Sequence, residues 1–262
     1  MKIAIIGCGN LGIALARGFL KDGFLAPEQL VLSKRNPSNL ASFRELGVMV
    51  TSDNSEAARN ADIIILAVKP YNVEKVILEI KADLDPKKHR IISAATGISL
   101  AQITDWCASD LPVFRAMPNT AAGIGESVTA IASVRATAEE QKEIVELFST
   151  IGIAIVIEEE LMEAATILGA CGIAYVMRFI RAMIQGGIQI GFDAKTASLI
   201  VNQAVRGASG LLLTENAHPE SEIDKVTTPK GCTIVGLNEM EHNGFSSALI
   251  KGIVCSYQKI EK

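Results

Sequence analysis

Two stretches at opposite ends of the 262-residue chain hold residues that could do chemistry. Near the start, the apolar run Ile3 to Ile6 breaks into Gly7-Cys8-Gly9-Asn10-Leu11-Gly12, a complete G-x-G-x-x-G, followed by a helical stretch rich in small residues (Ala14, Ala16, Gly18). Where such a motif joins a strand to a helix, each glycine has its own task. Gly7 allows a tight turn, Gly9 removes a side chain so that backbone can approach a pyrophosphate, and Gly12 lets the helix lie close on the sheet. The unpaired N–H groups of the helix N-terminus then face the anion. The glycine spacing alone would also serve a strand-to-helix turn that binds nothing; its place after an apolar strand is what points to a dinucleotide. Near the end, Val226-Thr227-Thr228-Pro229-Lys230-Gly231-Cys232-Thr233 is polar, holds Pro and Gly, and precedes a helical run from Ile234 to Met240. A loop that opens a helix offers N–H groups and hydroxyls to a carboxylate. The same residues also make an ordinary Thr cap after a proline turn.

Ligands of open α/β sheets bind outside the carboxyl ends of the strands. The segments that end apolar runs are Ala67-Val68-Lys69-Pro70, Ala94-Ala95-Thr96-Gly97 and Arg115-Ala116-Met117-Pro118-Asn119-Thr120. Small side chains at Ala94 and Ala95 would let a flat nicotinamide reach the backbone, and Pro70 and Pro118 fix the turns. The second strand ends Leu32-Ser33-Lys34-Arg35-Asn36, without the acid that takes a ribose 2′-OH in NAD-binding folds. Ser33, Lys34 and Arg35 would instead accept a 2′-phosphate, Arg35 through its forked guanidinium. NADPH is therefore the favoured cofactor and NADH the alternative.

The elements that must position these groups are legible as alternating patterns. Short apolar runs at Leu30 to Leu32, Val48 to Val50, Ile63 to Val68, Ile91 to Ala94, Val113 to Ala116, Ser127 to Ala132 and Ile153 to Ile157 predict strands. Helical patterns at Asn72 to Ile80, Ser99 to Trp106 and Ala138 to Thr150 lie between them. The alternation predicts an N-terminal α/β domain, residues 1–158, with a Rossmann-like doubly wound sheet. Past Glu158-Glu159-Glu160 no strand pattern remains, and residues 159–262 read as an all-α domain. The helices Ala170 to Gln189 and Ala194 to Leu213 are apolar around most of their circumference, so a partner subunit must cover them, most simply by two-fold symmetry.

Composition excludes several classes. A formal net charge of −4 offers no basic face for nucleic acid. Five scattered cysteines with no C-x-x-C, and three histidines without ligand spacing, predict neither disulfides nor a metal site, and a reduced, cytoplasmic setting. Cleaving Ile3 to Ala16 as an export signal would discard the glycine loop. Ala164 to Met177 is uncharged but too short to span a bilayer, so no membrane role is expected.

Taken together, the chain resembles the pyrroline-5-carboxylate reductase family. The matching pieces are IIGCGNLG at Ile5 to Gly12, AVKP at Ala67 to Pro70, RAMPNT at Arg115 to Thr120, VTTPKGCTIVGL at Val226 to Leu237, and Asn243-Gly244-Phe245 before a final helix. They run in order over nearly the whole chain, and VTTPKGCT is the most specific. The resemblance implies reduction of 1-pyrroline-5-carboxylate to L-proline with NAD(P)H. It also implies an all-α C-terminal dimerisation domain whose helices interlock into a homodimer, with dimers assembling into rings. Carried over, Gly7, Gly9, Asn10, Leu11, Gly12, Ser33, Arg35, Asn54, Ala67, Val68, Lys69, Pro70, Ala94, Ala95 and Thr96 would hold the dinucleotide. Thr228, Gly231, Cys232 and Thr233 would hold the substrate carboxylate, with Thr233, the catalytic candidate, nearest the imine.

Two departures bear on substrate. The family's loop runs close to S-P-G-G-T-T; here Lys230 replaces a glycine and Cys232 a small or hydroxylated residue. A left-handed backbone at that glycine would strain Lys230. The family's S-G-S-G-P-A-Y is Gly169-Ala170-Cys171-Gly172-Ile173-Ala174-Tyr175 here, without two hydroxyls and a proline. Ketone reductases need a proton donor, and related hydroxyacid dehydrogenases use a Lys on the first long helix of the second domain. No Lys or His lies between Leu161 and Ala194. A protonated imine already carries its charge and needs positioning more than a strong acid. The alternatives are a reductase of the same superfamily acting on another small imine or keto carboxylate, and a dinucleotide-binding regulator without catalysis.

Overall fold

The computed structural model describes residues 1–107, 110–215 and 217–260, without the side chains of Asp22 and Glu215. The chain divides into two compact units, Met1–Cys171 with a short piece from Tyr257, and Gly172–Ser256.

The first unit is built on eight strands: β1 Ile3–Ile6, β2 Leu30–Ser33, β3 Met49–Thr51, β4 Ile63–Leu66, β5 Arg90–Ser93, β6 Val113–Met117, β7 Ser127–Val134 and β8 Gly152–Val156. They lie in one sheet in the order β3-β2-β1-β4-β5-β6-β7-β8. β1 to β6 run parallel, as the continuous apolar runs predict. β7 turns antiparallel to β6, because residues 118–126 are too few for a parallel crossover, which takes about a dozen or more. Helix α6, Ala138–Ser149, then returns β8 parallel to β7.

The unit's helices are α1 Asn10–Leu20, α2 Ala41–Glu45, α3 Asn54–Arg59, α4 Val73–Ile80, α5 Leu100–Cys107, α6 Ala138–Ser149 and α7 Met162–Ala165. The side-chain alternation of each strand supplies two cores. Ile3, Ile5, Leu30, Leu32, Ile63 and Ile65 face one, with Leu15 and Phe19 of α1 and Phe148 of α6. Ala4, Ile6, Val31, Ile64 and Leu66 face the other, with Val76 and Ile77 of α4 and Ile103 of α5. Burial on both faces makes the sheet doubly wound, and each buried Ile or Leu contributes about 1.5–3 kcal/mol. Two caps place helix starts: Asp53 accepts from Ser55 N and Glu56 N, and Thr137 with Glu140 forms a capping box on α6. After α7 the chain forms a π-helical turn, Thr166–Cys171.

The second unit consists of helices: α8 Gly172–Gln189, α9 Ala194–Glu215, α10 Pro219–Lys225, α11 Cys232–His242 and most of α12 Phe245–Ile260. α8 and α9 approach closely where a Cβ at Gly187 would lie 3.2 Å from Ala197 Cβ. Tyr175 Oη donates to Ser256 Oγ at 2.8 Å, and the Phe179 and Phe245 rings stand 6.1 Å apart. Large apolar side chains face outward nonetheless, among them Met177, Leu199, Leu213 and Ile250. No residue of α8 is fully buried.

The structure corrects one sequence expectation here. The apolar stretch around Ala164 to Met177 belongs to a helical run of 31 residues, Glu159–Gln189, whose most apolar 18-residue window has a mean hydropathy of 1.6, long and apolar enough to cross a membrane. Shortness is therefore no argument against a span, because the flanking turns continue the helix.

Candidate active site

In the first unit, the carboxyl ends of β2, β1, β4 and β5 stand side by side in the sheet. Their order brings Ser33 to Arg35, Gly7 to Gly12, Ala67 to Pro70 and Ala94 to Thr96 to one edge. Each glycine of the motif has a measurable reason. Gly7 has φ +100°, and a Cβ there would meet Val68 Cγ1 at 2.5 Å and Ala67 backbone at 2.8 Å. A Cβ on Gly12 would lie 2.7 Å from Gly7 O. Gly9 differs: nothing stands within 4 Å of where its Cβ would be. Gly9 is also the N-cap of α1 and supplies no side-chain cap, while Asn10 and Leu11 open the helix. The first N–H groups of a helix have no intrahelical partner. The loop thus presents open space beside an uncapped helix N-terminus, which fits a pyrophosphate.

The turn itself is pinned from below. Gly7 N and Cys8 N both donate to Ser33 O, at 2.9 and 3.3 Å. Cys8 is buried, with Sγ 3.5 Å from Ile5 O, and burial pushes its thiol up to about 12 despite the nearby Lys34 cation. It stays neutral and unreactive.

Ser33 is fully buried, and its Oγ donates to Asn54 Oδ1 at 2.6 Å. Asn54, the first residue of α3, donates from Nδ2 to Glu79 Oε2 at 3.0 Å. The pair ties the end of β2 to the start of α3. Lys34 Nζ donates to Asn39 Oδ1 at 2.8 Å, and Arg35 stands exposed beside it.

Ala67 N donates to Ile6 O at 2.8 Å, and Ala94 N to Leu66 O at 3.0 Å, so the loops follow one another along the edge. Lys69 is exposed, and Pro70 opens a 3₁₀ turn, Pro70–Asn72. Ala94 and Ala95 are buried and leave only small surfaces, while Thr96 is half-buried.

An ionic cluster that sequence reasoning missed is centred on Arg115 of β6. Arg115, 3% exposed, pairs with Glu159 at 3.2 Å and Glu163 at 2.7 Å. Glu159 Oε1 also accepts from Leu100 N at 2.7 Å, satisfying the start of α5. Glu159 signalled only a change of character in the sequence; nothing in its spacing named Arg115 as partner.

The second focus, in the other unit, is a tight turn. Gly231 N donates to Thr228 O at 2.9 Å, and Thr227 Oγ1 donates to Ile223 O at 2.7 Å. A Cβ on Gly231 would lie 2.5 Å from Thr228 Oγ1, so the glycine is required. Lys230 has φ +60°, the left-handed backbone that favours glycine. The strain anticipated from its replacement of a family glycine is present. Gly231 caps α11 without a side chain, leaving Cys232 and Thr233 exposed at the helix start.

Fold and site define a dinucleotide-dependent oxidoreductase. A family described as NADP oxidoreductase, coenzyme F420-dependent, matches residues 2–97, and one described as pyrroline-5-carboxylate reductase dimerisation matches residues 159–262. Pyrroline-5-carboxylate reductase 2 of Dictyostelium discoideum is 44% identical, over 100% of this chain and 92% of that protein. Pyrroline-5-carboxylate reductase 1 of the same organism is 43% identical over 98% of this chain, which spans about half (49%) of that protein's length. The enzyme of Methanosarcina acetivorans is 36% identical, with 97% and 94% covered. Among solved structures, Plasmodium falciparum pyrroline carboxylate reductase with NADP bound superimposes with a TM-score of 0.91 at 27% identity, covering 99% of this chain and 97% of that one. The chain belongs to the pyrroline-5-carboxylate reductase family. These relatives are named as pyrroline-5-carboxylate reductases, and the Plasmodium falciparum structure holds NADP. The long apolar run Glu159–Gln189 falls inside the dimerisation match.

Proposed function

We propose that this chain reduces 1-pyrroline-5-carboxylate to L-proline, with NADPH preferred over NADH. The observation that carries the reading is the open, uncapped glycine loop at one edge with Arg35, in a chain of this family. Gly7, Gly9, Asn10, Leu11 and Gly12 bind the pyrophosphate. Arg35 takes the 2′-phosphate, while Ser33 and Asn54 hold the strand end beneath it. Ala67 to Pro70 and Ala94 to Thr96 line the path to the nicotinamide. Bound NAD(P)H supplies the hydride.

Thr228, Gly231, Cys232 and Thr233 hold the substrate carboxylate at the start of α11, where N–H groups and a hydroxyl converge on an anion. Thr233 orients the imine. A protonated imine becomes a stable amine without an external acid, which accords with the absence of Lys and His between Leu161 and Ala194. Residues 159–262 form the homodimer through their apolar helices, dimers pack into a ring, and the enzyme works in the cytoplasm on residues 1–158 as its nucleotide domain. Lys230 favours a second reading, a different small imine or keto carboxylate, because a cation stands where the family has glycine.

The test is purified protein with NADPH and pyrroline-5-carboxylate, followed by loss of nicotinamide absorbance. Turnover, together with a large fall in kcat/KM for Thr233→Ala at unchanged NADPH affinity, supports the proposal. Turnover only on another imine or keto acid moves the reading to the second substrate class, and cofactor binding without any turnover leaves a regulator. Unchanged activity of Thr233→Ala removes that residue from the site.

A further inference from the structure

Asn119 stands just past the carboxyl end of β6, only 8% exposed, and four hydrogen bonds converge on it. Its backbone N donates to Ser127 Oγ at 3.0 Å, and its carbonyl accepts from Ala122 N at 3.1 Å. Its Oδ1 accepts from Ala121 N at 2.9 Å, and its Nδ2 donates to Gly169 O at 3.0 Å. The last bond reaches into the π-helical turn Thr166–Cys171. A π turn disturbs the regular ladder of carbonyls, and such turns recur at functional sites. The turn is also seated tightly on the sheet, since a Cβ on Gly169 would lie 3.1 Å from Val128 Cγ1.

The residue type is dictated by its partners. One end of the side chain must accept from an N–H and the other must donate to a carbonyl, which a carboxamide does and a carboxylate does not. Serine can accept from Ala121 N in the same local turn but is too short to bridge to Gly169. In the sheet, β6 is the neighbour of β5, so the loop carrying Asn119 is the next wall along the edge after Ala94 to Thr96.

We propose that Asn119 is a positioning residue for the reductive step. It clamps the loop after β6 to the π turn and so keeps rigid the wall that bounds the nicotinamide end of the cofactor path. It touches neither reactant. The inference rests on the function proposed above only in taking Ala94 to Thr96 as the nicotinamide end.

The test compares wild type with Asn119→Ser and Asn119→Asp, by NADPH titration, thermal unfolding, kcat with ordinary and 4,4-dideuterated NADPH, and amide exchange across residues 166–171. A displaced wall misaligns reacting atoms, and a misplacement near 1 Å costs about 100-fold. The expected result is unchanged NADPH affinity, a kcat lower by about 10- to 100-fold, a larger isotope effect and faster exchange in the π turn. Divided by the wild-type profile, Asn119→Asp recovers as pH falls, because a protonated carboxyl again donates to Gly169 O; Asn119→Ser does not recover. Unaltered kcat and exchange in both variants would overturn the proposal. So would a loss of NADPH affinity and melting temperature in step with kcat, with no acid recovery. If wild type fails to turn over pyrroline-5-carboxylate, the function above fails, and the exchange data alone judge the clamp.

Discussion

Gly9 and Gly12 belong to one motif but stand in opposite surroundings, and alanine at each separates binding from folding. Gly9 has φ −80° and ψ −158°, a backbone that any residue adopts, and its Cβ would meet nothing within 4 Å. Gly9→Ala therefore leaves the fold intact, and the stiffer unfolded chain adds about 0.4–1 kcal/mol of stability. The methyl group instead occupies the space where a pyrophosphate oxygen would meet backbone N–H. Losing one hydrogen bond to a charged group, about 1.5–3 kcal/mol, weakens NADPH binding about 10- to 150-fold. Gly12→Ala drives a Cβ to 2.7 Å from Gly7 O, so α1 must move off the sheet at about 1–3 kcal/mol. Fluorescence titration with NADPH and denaturant unfolding of both variants give the two numbers. Wild-type affinity in Gly9→Ala, or destabilisation there matching Gly12→Ala, would refute the reasoning.

Three further outcomes are expected. Arg35→Ala raises KM for NADPH far more than for NADH, and equal effects in steady-state kinetics would remove Arg35 from the 2′-phosphate site. Lys230→Gly relieves about 1–2 kcal/mol of left-handed strain against about 0.4–1 kcal/mol of added unfolded-state freedom, a net gain of up to about 1.5 kcal/mol; a lower denaturant midpoint contradicts this. Burial first, and the Lys88 cation next, hold His89 below its ordinary 6.5, while its Nδ1 accepts from Asp85 N at 2.8 Å. The unfolded chain therefore binds a proton that the folded chain refuses. Stability is full above pH about 6.5 and falls as pH drops through that value. His89→Asn keeps an acceptor and flattens this slope in unfolding measured between pH 7.5 and 5; an unchanged slope assigns the loss to other groups.

The sheet was legible because strands covered on both faces must be apolar at every position, as Ile63–Leu66 is. Elements carrying no such period escaped: α2 and α3 are too short to show one, and the π turn depends on contacts made by distant residues. The direction of β7 was implicit in its short connection to β6. In the candidate site, the glycines could be assigned separate tasks from their spacing because backbone geometry at a strand-helix turn is local. Ser33 could not be placed that way: the pleat turns its side chain inward to Asn54, a partner on another element. Arg115 illustrates the same limit, since its carboxylates lie 44 and 48 positions away and are brought near by strand pairing. The loop at Thr228 to Thr233 was legible as a site only through family resemblance; its residues alone describe any capped helix.

The ionic cluster at Arg115 also decides where the nucleotide-binding half can be cut free. A fragment ending at Glu158 would strip Arg115, 3% exposed in the full chain, of both Glu159 and Glu163, and Leu100 N of its acceptor. Breaking a buried pair from one side costs about 3–5 kcal/mol, a large share of the 5–15 kcal/mol that holds a typical domain together. The last fastenings of the sheet, with the Asn119 bond to Gly169 among them, are thus carried by residues inside the dimerisation match. The dimerisation match begins at residue 159, and physical closure of the first half comes a dozen residues later, at Cys171.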